Sequence, residues 1–378
     1  MNAVQLQQAI RTYAASIGID KIGFTTAAPF RELKNRLKRQ QELGYQSGFE
    51  EKDLDKRTEP ALLLDEAESI ISIAIAYPSK MQDSPRGKKG ERRGLFCRAS
   101  WGMDYHTVLR EKLQLLEQFI KEYVPAAQLR SMVDTGELVD RAVAERAGIG
   151  WSGKNCSIIT PEFGSYVYLG EMITNIPFEP DTPMEEECGD CTLCLDACPT
   201  GALIQGGQLN AQRCIAFLTQ TKTPIPEEFR REIGNRLYGC DTCQTVCPKN
   251  KRKYNLHQPA FQPDPELAKP LLQPLLKLSN REFKERFGHV SGSWRGKNPI
   301  QRNAIIALAH FKEEAAVPDL IGILLEDPRP VIRGTAAWAL GEIGSAMGYG
   351  AIEKALQTEE DESVRKELEA AIETLEEV

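Results

Sequence analysis

The first 175 residues alternate between segments with a helical spacing of apolar residues and short runs rich in β-branched and apolar residues. The helical spacing predicts a helix up to about residue 17, a charged helix from about residue 30 and a long helix over 102–124. The strand-like runs are KIGFTTA (21–27), SIISIAIAYP (69–78), LRSMVD (129–134) and SYVYLGEMIT (165–174). Residues 1–175 are therefore predicted to form an α/β domain with its own sheet.

The last third of the chain repeats itself at 31 and 32 residues, each time with an arginine that opens an alanine-rich amphipathic helix. These arginines are Arg302, Arg333 and Arg365. The intervening AVPDLIGILLED and AIEKALQTEED supply the second helix of each pair. Helix pairs at this period predict a short HEAT-like α-solenoid, so residues 261–378 are expected to be a linker followed by helical repeats.

Eight of the ten cysteines lie between residues 188 and 247. The stretch CGDCTLCLDACPTG has the C-x2-C-x2-C-x3-C-P spacing of bacterial ferredoxins, in which three cysteines bind one [4Fe-4S] cluster and the fourth binds a second. GCDTCQTVCP (239–248) repeats the C-x2-C-x3-C-P ending, and Cys214 supplies the remaining ligand. The predicted ligands are Cys188, Cys191, Cys194 and Cys247 for cluster 1, and Cys198, Cys214, Cys240 and Cys243 for cluster 2.

Residues 176–260 are accordingly predicted to be a ferredoxin-like domain, in which metal ligation supplies folding free energy. A zinc site would need two cysteine pairs that close a tetrahedron, and neither the C-x2-C-x2-C triplet nor the Cys-Pro endings have that pattern. Disulfides are not expected, because we find no secretory signal and the cytosol keeps thiols reduced. Two neighbouring clusters move single electrons, so the chain either passes them to another protein or holds its own acceptor.

The composition is that of an ordinary globular protein, with 41% apolar and 27% charged residues. No apolar run approaches the ~18 residues that a membrane span requires, which predicts a cytoplasmic protein. The net charge is −7, yet residues 353–378 hold ten acidic and three basic residues, whereas KNKRK (249–253) has no acid. The net charge therefore argues nothing against a nucleic-acid partner.

Asp134 is the candidate acid of the first domain. It ends the strand LRSMV and precedes the turn TGE, so it should project from the carboxyl end of a strand, where α/β sites gather. The alternative is an aspartate that caps a helix beginning near Leu138. Tyr105 and His106 could hydrogen-bond the substrate or the acid, and a structural role is their alternative.

Five segments, in this order, resemble the epoxyqueuosine reductase family, which is distantly similar to the cobalamin-dependent reductive dehalogenases. They are WGMDYH (101–106), VDTGELVDRAVAERAGIGWSGKN (133–155), FGSYVYLGEMIT (163–174), CGDCTLCLDACPTGAL (188–203) and IGNRLYGCDTCQTVCP (233–248). The resemblance runs from about residue 15 through the terminal repeats. Its ERAGIGWSGKN block is more specific than a ferredoxin run alone.

The resemblance implies reduction of epoxyqueuosine to queuosine at the wobble position of tRNA, a two-electron, two-proton removal of the epoxide oxygen. It also implies a cobalamin and two [4Fe-4S] clusters, in a nitroreductase-like α/β cobalamin domain joined to a ferredoxin-like one. The chemistry is consistent, because expelling the oxygen needs a strong reductant and an acid. The resemblance makes Asp134 the proton donor, and shelter near an apolar corrin should raise its pKa and keep it protonated near neutrality.

Contacts with the corrin rest on the resemblance, because the sequence holds no cobalamin motif of the D-x-H-x-x-G kind. Arg57, Cys97 and Asp134 are expected on the cobalamin side, and a surface arginine and a small buried thiol are the alternatives for the first two. Backbone groups around further residues are expected to line the corrin, namely Ile158, Leu169, Ala216, Pro224 and Ile225. Cys156 is expected to be structural.

A tRNA partner, here an anticodon stem-loop that carries epoxyqueuosine, requires cations for its phosphates. The candidates are Arg141, Lys222, Lys251, Arg252, Lys253, Arg295, Lys297 and Arg302. For KNKRK the alternative is a solvated turn. We expect a monomer that takes electrons from an external donor such as a flavodoxin or ferredoxin.

Two other functions are compatible with the cysteines. A reductive dehalogenase-like enzyme would share the cofactors and act on a small organohalide, but such enzymes typically carry an export signal, and the solenoid suits a tRNA better. An electron-transfer ferredoxin module would need neither the first 175 residues nor an acid at a strand end.

Overall fold

The computed structural model describes residues 2–376, which form two compact units. Within the described residues, the first unit contains 2–80, 102–214 and 241–262, and the second contains 81–101, 215–240 and 263–376. The chain therefore crosses between the units more than once. The division into consecutive domains at 1–175, 176–260 and 261–378 stays a prediction about the sequence.

Helices and strands follow the predicted order, with mixed elements first and helices alone towards the end. The helices are α1 (Ala3–Ser16), α2 (Arg31–Glu42), α3 (Tyr105–Tyr123), α4 (Asp140–Arg146), α5 (Leu193–Asp196), α6 (Ile215–Leu218), α7 (Glu227–Ile233), α8 (Thr242–Thr245), α9 (Pro265–Ala268), α10 (Leu272–Lys277), α11 (Asn280–Phe287), α12 (Lys297–His310), α13 (Val317–Glu326), α14 (Pro330–Ile343), α15 (Ala346–Leu356) and α16 (Glu362–Glu376). The strands are β1 (Lys21–Thr26), β2 (Ser69–Ala76), β3 (Leu95–Phe96), β4 (Leu129–Met132), β5 (Trp151–Ser152), β6 (Ile158–Ile159), β7 (Val167–Thr174), β8 (Leu203–Gln205), β9 (Gln208–Leu209) and β10 (Arg236–Tyr238).

The first unit is built on a four-stranded sheet in the order β1-β2-β7-β4, with antiparallel neighbours throughout. All eight residues of β2 are buried, as its continuous apolar run predicts for a central strand. Across the sheet, Gly23, Ser72, Glu171 and Met132 lie opposite one another, so their side-chain positions share one face. Helix α4 covers this face closely, since a Cβ on Gly23 would lie 2.0 Å from the Ala147 carbonyl oxygen.

Helices α1 and α3 cover the opposite face of the sheet. Leu109 and Leu113 of α3 are fully buried and lie 3.4 and 3.3 Å from the position of a Cβ on Gly170. Tyr13 of α1 stacks on Phe119 of α3 with ring centroids 4.3 Å apart. The sheet thus lies between two helical layers, which explains why its central strand β2 is buried on both faces.

The second unit contains the helical repeats and a two-stranded parallel ribbon of β3 and β10. Arg302, Arg333 and Arg365 lie on α12, α14 and α16, and the helices α13 and α15 lie between them in the chain. The predicted helix pairs are therefore present. Among residues 2–376, none of the helices combines the length and the apolar character that crossing a lipid bilayer requires.

Candidate active site and iron-sulfur ligands

Asp134 lies two residues beyond the end of β4, in a left-handed conformation with φ 52°. Its amide donates a hydrogen bond of 2.8 Å to Oδ2 of Asp140, the first residue of α4. Asp134 does not cap a helix, because α4 begins at Asp140 and Val139 is its N-cap residue. The capping alternative is therefore wrong, and the Asp134 side chain is available for a role other than capping.

The carboxylate of Asp134 forms an ion pair with His106, at 3.3 Å between Oδ2 and Nε2. The other ring nitrogen of His106 lies 2.8 Å from Oδ1 of Asp104, which also caps α3 by accepting the His106 amide. The Tyr105 ring stacks between His106 and Tyr168, with centroids 4.1 and 4.5 Å away. The imidazole is thus held between two carboxylates, as the sequence suggested when it placed Tyr105 and His106 near the acid.

The protonation of this pair differs from the sequence prediction. Hydrogen bonds from His106 and Tyr105 lower the pKa of Asp134 although partial burial opposes them. Burial lowers the pKa of His106, but hydrogen bonds with Asp104 and Asp134 outweigh it and raise the value to about 9. This direction is opposite to the rise expected beside an apolar corrin, because here a cationic partner outweighs desolvation. The rise beside a bound corrin stays a prediction. The proton resides on His106.

Two further acids lie behind Asp134 and were missed by sequence reasoning. Burial raises the pKa of the Asp140 carboxyl to about 7. Glu171 of β7 is fully buried, and neither of its carboxyl oxygens has a hydrogen-bond partner in the described part of the chain. Burial, then the nearby Asp140 and Asp134, raise the pKa of Glu171 well above its usual range. Nothing in the run SYVYLGEMIT separates a buried glutamate from one at a strand edge.

The first unit also holds three of the residues expected near the corrin. Arg57 is half-buried, and its charge interacts with Glu50, Glu51 and Asp140, so it belongs to the surroundings of Asp134. Ile158 is buried and Leu169 is half-buried against the same small apolar cluster. That cluster lies on the face of the sheet that α4 covers. Their contact with a corrin stays a prediction.

The four cysteines assigned to cluster 1 line one narrow cavity of the first unit, about 40 Å³ in volume. Cys188, Cys191 and Cys194 come from the turn and helix around α5, and Cys247 follows α8. Burial raises the pKa of the Cys194 thiol, and the closeness of Cys247 and Cys188 raises it further. Four thiols around one cavity are the donor set that a [4Fe-4S] cluster needs.

Three of the cysteines assigned to cluster 2 belong to the first unit and one to the second. Cys198, Cys214 and Cys243 are half-buried in the first unit, and Cys240 is half-buried against the apolar core of the second. Among residues 2–376, no three His, Cys, Asp or Glu side chains are grouped as a single metal ion would require. The assignment of these four cysteines to cluster 2 stays a prediction.

The remaining corrin candidates belong to the second unit. Cys97 is half-buried, and its amide donates to the Tyr238 carbonyl. Ala216 is half-buried, Pro224 is exposed and Ile225 is 2% exposed within the helical core. The side chain of Ile225 is therefore not available to a ligand. Its backbone carbonyl oxygen already accepts a hydrogen bond from Arg230. In the first unit, Cys156 has φ 63° and is half-buried, which agrees with a structural role.

Most of the cations proposed for tRNA lie at least partly at the surface. Lys222, Lys251 and Arg252 are exposed, and the half-buried ones have local partners. Those partners are Cys156 for Arg141, Pro161 for Lys253, Gln220 for Arg295 and Leu278 for Lys297, each through a carbonyl oxygen.

Arg302 cannot contact a phosphate, so its assignment to tRNA binding is wrong. Only 1% of the residue is exposed, and its guanidinium donates to the carbonyls of Leu218, Thr221 and Thr223. Burial, with the nearby Arg230, lowers its pKa to about 9. The arginine that opens the first repeat ties that helix to the segment before α7.

Three family models match the chain. The model "Epoxyqueuosine reductase QueG, DUF1730" matches residues 57–135, "4Fe-4S double cluster binding domain" matches 187–250 and "HEAT repeats" matches 297–373. The epoxyqueuosine reductase of Bacillus subtilis (strain 168) is 67% identical over 376 residues, which are 99% of this chain and 97% of that protein. The chain belongs to the epoxyqueuosine reductase family. Membership confirms the resemblance and, with the domain models, the predicted fold class.

Two solved epoxyqueuosine reductases are 66% identical to this chain, and each match covers 99% of it and 100% of the solved chain. One is a crystal structure with a tRNA-Tyr epoxyqueuosine-modified tRNA stem loop, and its TM-score is 0.98. The other is the B. subtilis epoxyqueuosine reductase with "the Asp134 catalytic loop swung out of the active site", at a TM-score of 0.97. The description of the second structure places an Asp134 in the catalytic loop of that protein.

Proposed function

We propose that this chain reduces epoxyqueuosine to queuosine at the wobble position of tRNA, removing the epoxide oxygen with two electrons and two protons. The observation that carries the proposal is the Asp134 carboxylate, which is 60% exposed and lies 3.3 Å from His106 Nε2. An exposed carboxylate can contact a nucleotide while His106 carries the proton that the reaction needs. Family membership supports the substrate, since a related reductase was solved with an epoxyqueuosine-modified tRNA stem loop.

In this proposal Asp134 delivers the proton to the departing oxygen and His106 supplies it. The proton rests on the imidazole, because the pKa of His106 is raised to about 9 and that of Asp134 is lowered. It passes from Nε2 to the carboxylate as negative charge develops on the substrate oxygen, which is general acid catalysis. Asp104 accepts from the other ring nitrogen, which leaves Nε2 as the nitrogen 3.3 Å from Asp134. The catalytic loop named in the B. subtilis structure supports Asp134 in this role.

The proposal includes the cofactors that the resemblance implies. Cobalamin, when bound, supplies a strong reductant at its cobalt, and the two [4Fe-4S] clusters supply single electrons. The four thiols around the narrow cavity fit cluster 1. Half-buried Leu169 beside Ile158 fits the apolar edge of a corrin. The residues proposed to contact cobalamin are Arg57, Cys97, Asp134, Ile158, Leu169, Ala216, Pro224 and Ile225.

For the tRNA we propose contacts with the exposed Lys222, Lys251 and Arg252, and with the partly exposed cations of the same candidate set. These are Arg141, Lys253, Arg295 and Lys297. A monomeric state, a cytoplasmic location and a flavodoxin or ferredoxin as electron donor complete the proposal. They stay predictions of the sequence.

The test is anaerobic reconstitution of the full chain with iron, sulfide and cobalamin, followed by an optical spectrum and an assay on tRNA that carries epoxyqueuosine. We expect bound corrin, two clusters and conversion to queuosine. Turnover of an organohalide without conversion of the tRNA would favour the dehalogenase alternative. Intact clusters without corrin, in a host supplied with cobalamin, would favour the electron carrier.

A further inference from the structure

Two buried N–H groups beside the cluster 1 cavity have no oxygen or nitrogen partner within residues 2–376. They are Nε1 of Trp151, a residue that is 1% exposed, and Nδ2 of Asn155, a residue that is 6% exposed. An unpaired buried donor costs free energy, so native proteins rarely leave one without an acceptor. Two such donors beside one cavity lined by cysteines indicate that their acceptors are the sulfur atoms at that cavity.

The backbone holds both donors in fixed positions. Trp151 lies on β5, which pairs with β6, and Asn155 lies in the loop that joins the two strands. Within that loop the Asn155 side-chain oxygen accepts the Ser157 amide, and the Gly153 amide donates to the Ser157 carbonyl. A Cβ on Gly153 would lie 2.5 Å from the Ile159 side chain and 2.8 Å from the Asn155 side-chain oxygen, so the loop packs closely around this glycine. The orientation of the Asn155 amide group is therefore set by the loop.

The same loop is tied to the turn that carries the first cluster cysteines. The Lys154 ammonium donates to the Gly189 carbonyl, one residue beyond Cys188. Asn155 lines the cavity together with the four cysteines. The Trp151 indole is near Cys188, since a hydrogen bond from it opposes the rise in pKa that burial gives the Cys188 thiol. Both donors thus belong to residues beside the cysteines that would bind the cluster.

Sulfur ligands of a [4Fe-4S] cluster carry negative charge, and that charge grows when the cluster is reduced. A hydrogen bond to such a sulfur stabilises the reduced form more than the oxidised form, and so it raises the reduction potential. Donors that are fixed before the cluster binds need not reorganise when the electron arrives.

We propose that Trp151 Nε1–H and Asn155 Nδ2–H donate hydrogen bonds to the cysteine sulfurs of cluster 1 and raise its reduction potential. They are positioning residues, since they act on the reaction only through the cluster. The inference rests on the cluster assignment of the proposed function, and it adds the residues that set the potential of one cluster relative to the other.

The test is an EPR-monitored redox titration of the reconstituted full chain and its Trp151→Phe variant. The potential that belongs to cluster 1 is the one that disappears in Cys191→Ser. In Trp151→Phe its reduced-to-oxidised ratio at a fixed applied potential should fall about tenfold, as expected for a lost hydrogen bond to a charged group. For a one-electron couple that is a shift of about 59 mV to more negative potential. The potential of cluster 2 should not move.

Trp338→Phe is the matched control, because Nε1 of Trp338 on α14 is also buried without a hydrogen-bond partner among residues 2–376 but belongs to the second unit. It should leave both potentials unchanged. An unmoved cluster 1 potential in Trp151→Phe, with both clusters loaded, would overturn this inference alone. A parent chain that assembles no clusters would overturn the proposed function as well.

A second measurement needs no variant that might assemble poorly. In the parent chain labelled with ¹⁵N-tryptophan, pulsed EPR of reduced cluster 1 should detect a coupled indole nitrogen. The coupling should persist in Trp338→Phe. Its absence from the parent chain would contradict the hydrogen bond directly.

Discussion

At the residue scale, Asp134 and His106 share one proton between two sites 3.3 Å apart. Because the two groups interact this strongly, the acid is the pair of side chains and not either residue alone. The sequence could identify Asp134 by its place after a strand. It could not give the charge state, because that depends on a histidine 28 positions earlier, which only the fold brings to the carboxylate.

Replacing Asp134 with Asn keeps the size of the side chain but prevents proton delivery. We expect Asp134→Asn to keep its clusters, bind tRNA nearly as before and lose about 10²- to 10⁴-fold in single-turnover conversion of epoxyqueuosine-containing tRNA. Asp264→Asn is a matched control, since Asp264 is exposed and caps α9, and Asn is an equally good cap. A rate for Asp134→Asn within about threefold of the parent, well inside the loss expected for a general acid, would contradict the role of Asp134.

Glu171 should make stability fall as the pH rises. Its folded pKa lies well above the unfolded value of 4.5, so between those values the folded state binds more protons and loses stability by up to ~1.4 kcal/mol per pH unit. Asp140 lowers stability in the same direction between pH 3.8 and about 7, and it is present in both the parent and the Glu171→Gln variant. Of the other groups near Glu171, Ser72 does not ionise, and Asp134 is ionised across this range.

Glu171→Gln removes this titration while keeping the shape of a neutral carboxyl group. Denaturant unfolding across pH 5 to 7 should show a difference in stability between variant and parent that grows with pH in favour of the variant. Glu285→Gln, at an exposed position of α11, should run parallel to the parent. Parallel curves for Glu171→Gln as well would mean that Glu171 is ionised in the folded protein.

At the element scale, the strands could be predicted because each carries its own pattern. The eight-residue run of β2 is apolar throughout, and burial on both faces follows from that run alone. The burial of Glu171 could not be predicted, since it depends on α4 covering the sheet at Ser72 and Gly23. The cysteine spacing was informative for the opposite reason, because most of the predicted cluster ligands come from two short runs whose spacing can be seen along the chain.

The first arginine of the repeats shows where a sequence pattern is ambiguous. An arginine at the start of a solenoid helix suits a phosphate contact and a carbonyl clamp equally well. Arg302→Met should destabilise the chain by roughly 3 kcal/mol or more, because three carbonyls, one buried and two partly buried, would each lose a charged donor. The measurement is denaturant unfolding followed by the helical signal. Arg281→Met, whose side chain is 87% exposed on α11, should change stability by no more than about 0.5 kcal/mol. An equally small effect for Arg302 would contradict the clamp.

At the scale of the whole molecule, acidic and basic residues are concentrated in different parts of the chain. The net charge of −7 is concentrated in the acidic residues after 353, whereas 249–253 is free of acid. Attraction of a polyanion must therefore come from local groups of cations. Where the cations lie matters more for this attraction than the net charge of the chain. Within KNKRK, Lys249 pairs with Glu187 and Lys253 donates to the Pro161 carbonyl, which leaves Lys251 and Arg252 as the exposed cations of the run.

Reversing Lys251 and Arg252 to glutamate should weaken tRNA binding and reduce its salt dependence. Each phosphate contact that is lost removes roughly 0.7 to 0.9 from the slope of log affinity against log salt concentration, so two lost contacts should flatten the slope by about twice that amount. The measurement is a binding titration with tRNA across a salt series. Reversing Arg281 and Lys366 instead changes the net charge equally at exposed positions outside the proposed contacts. Should both double variants shift affinity alike and keep the parent slope, the run would be a solvated turn and the molecule would bind tRNA through its other cations.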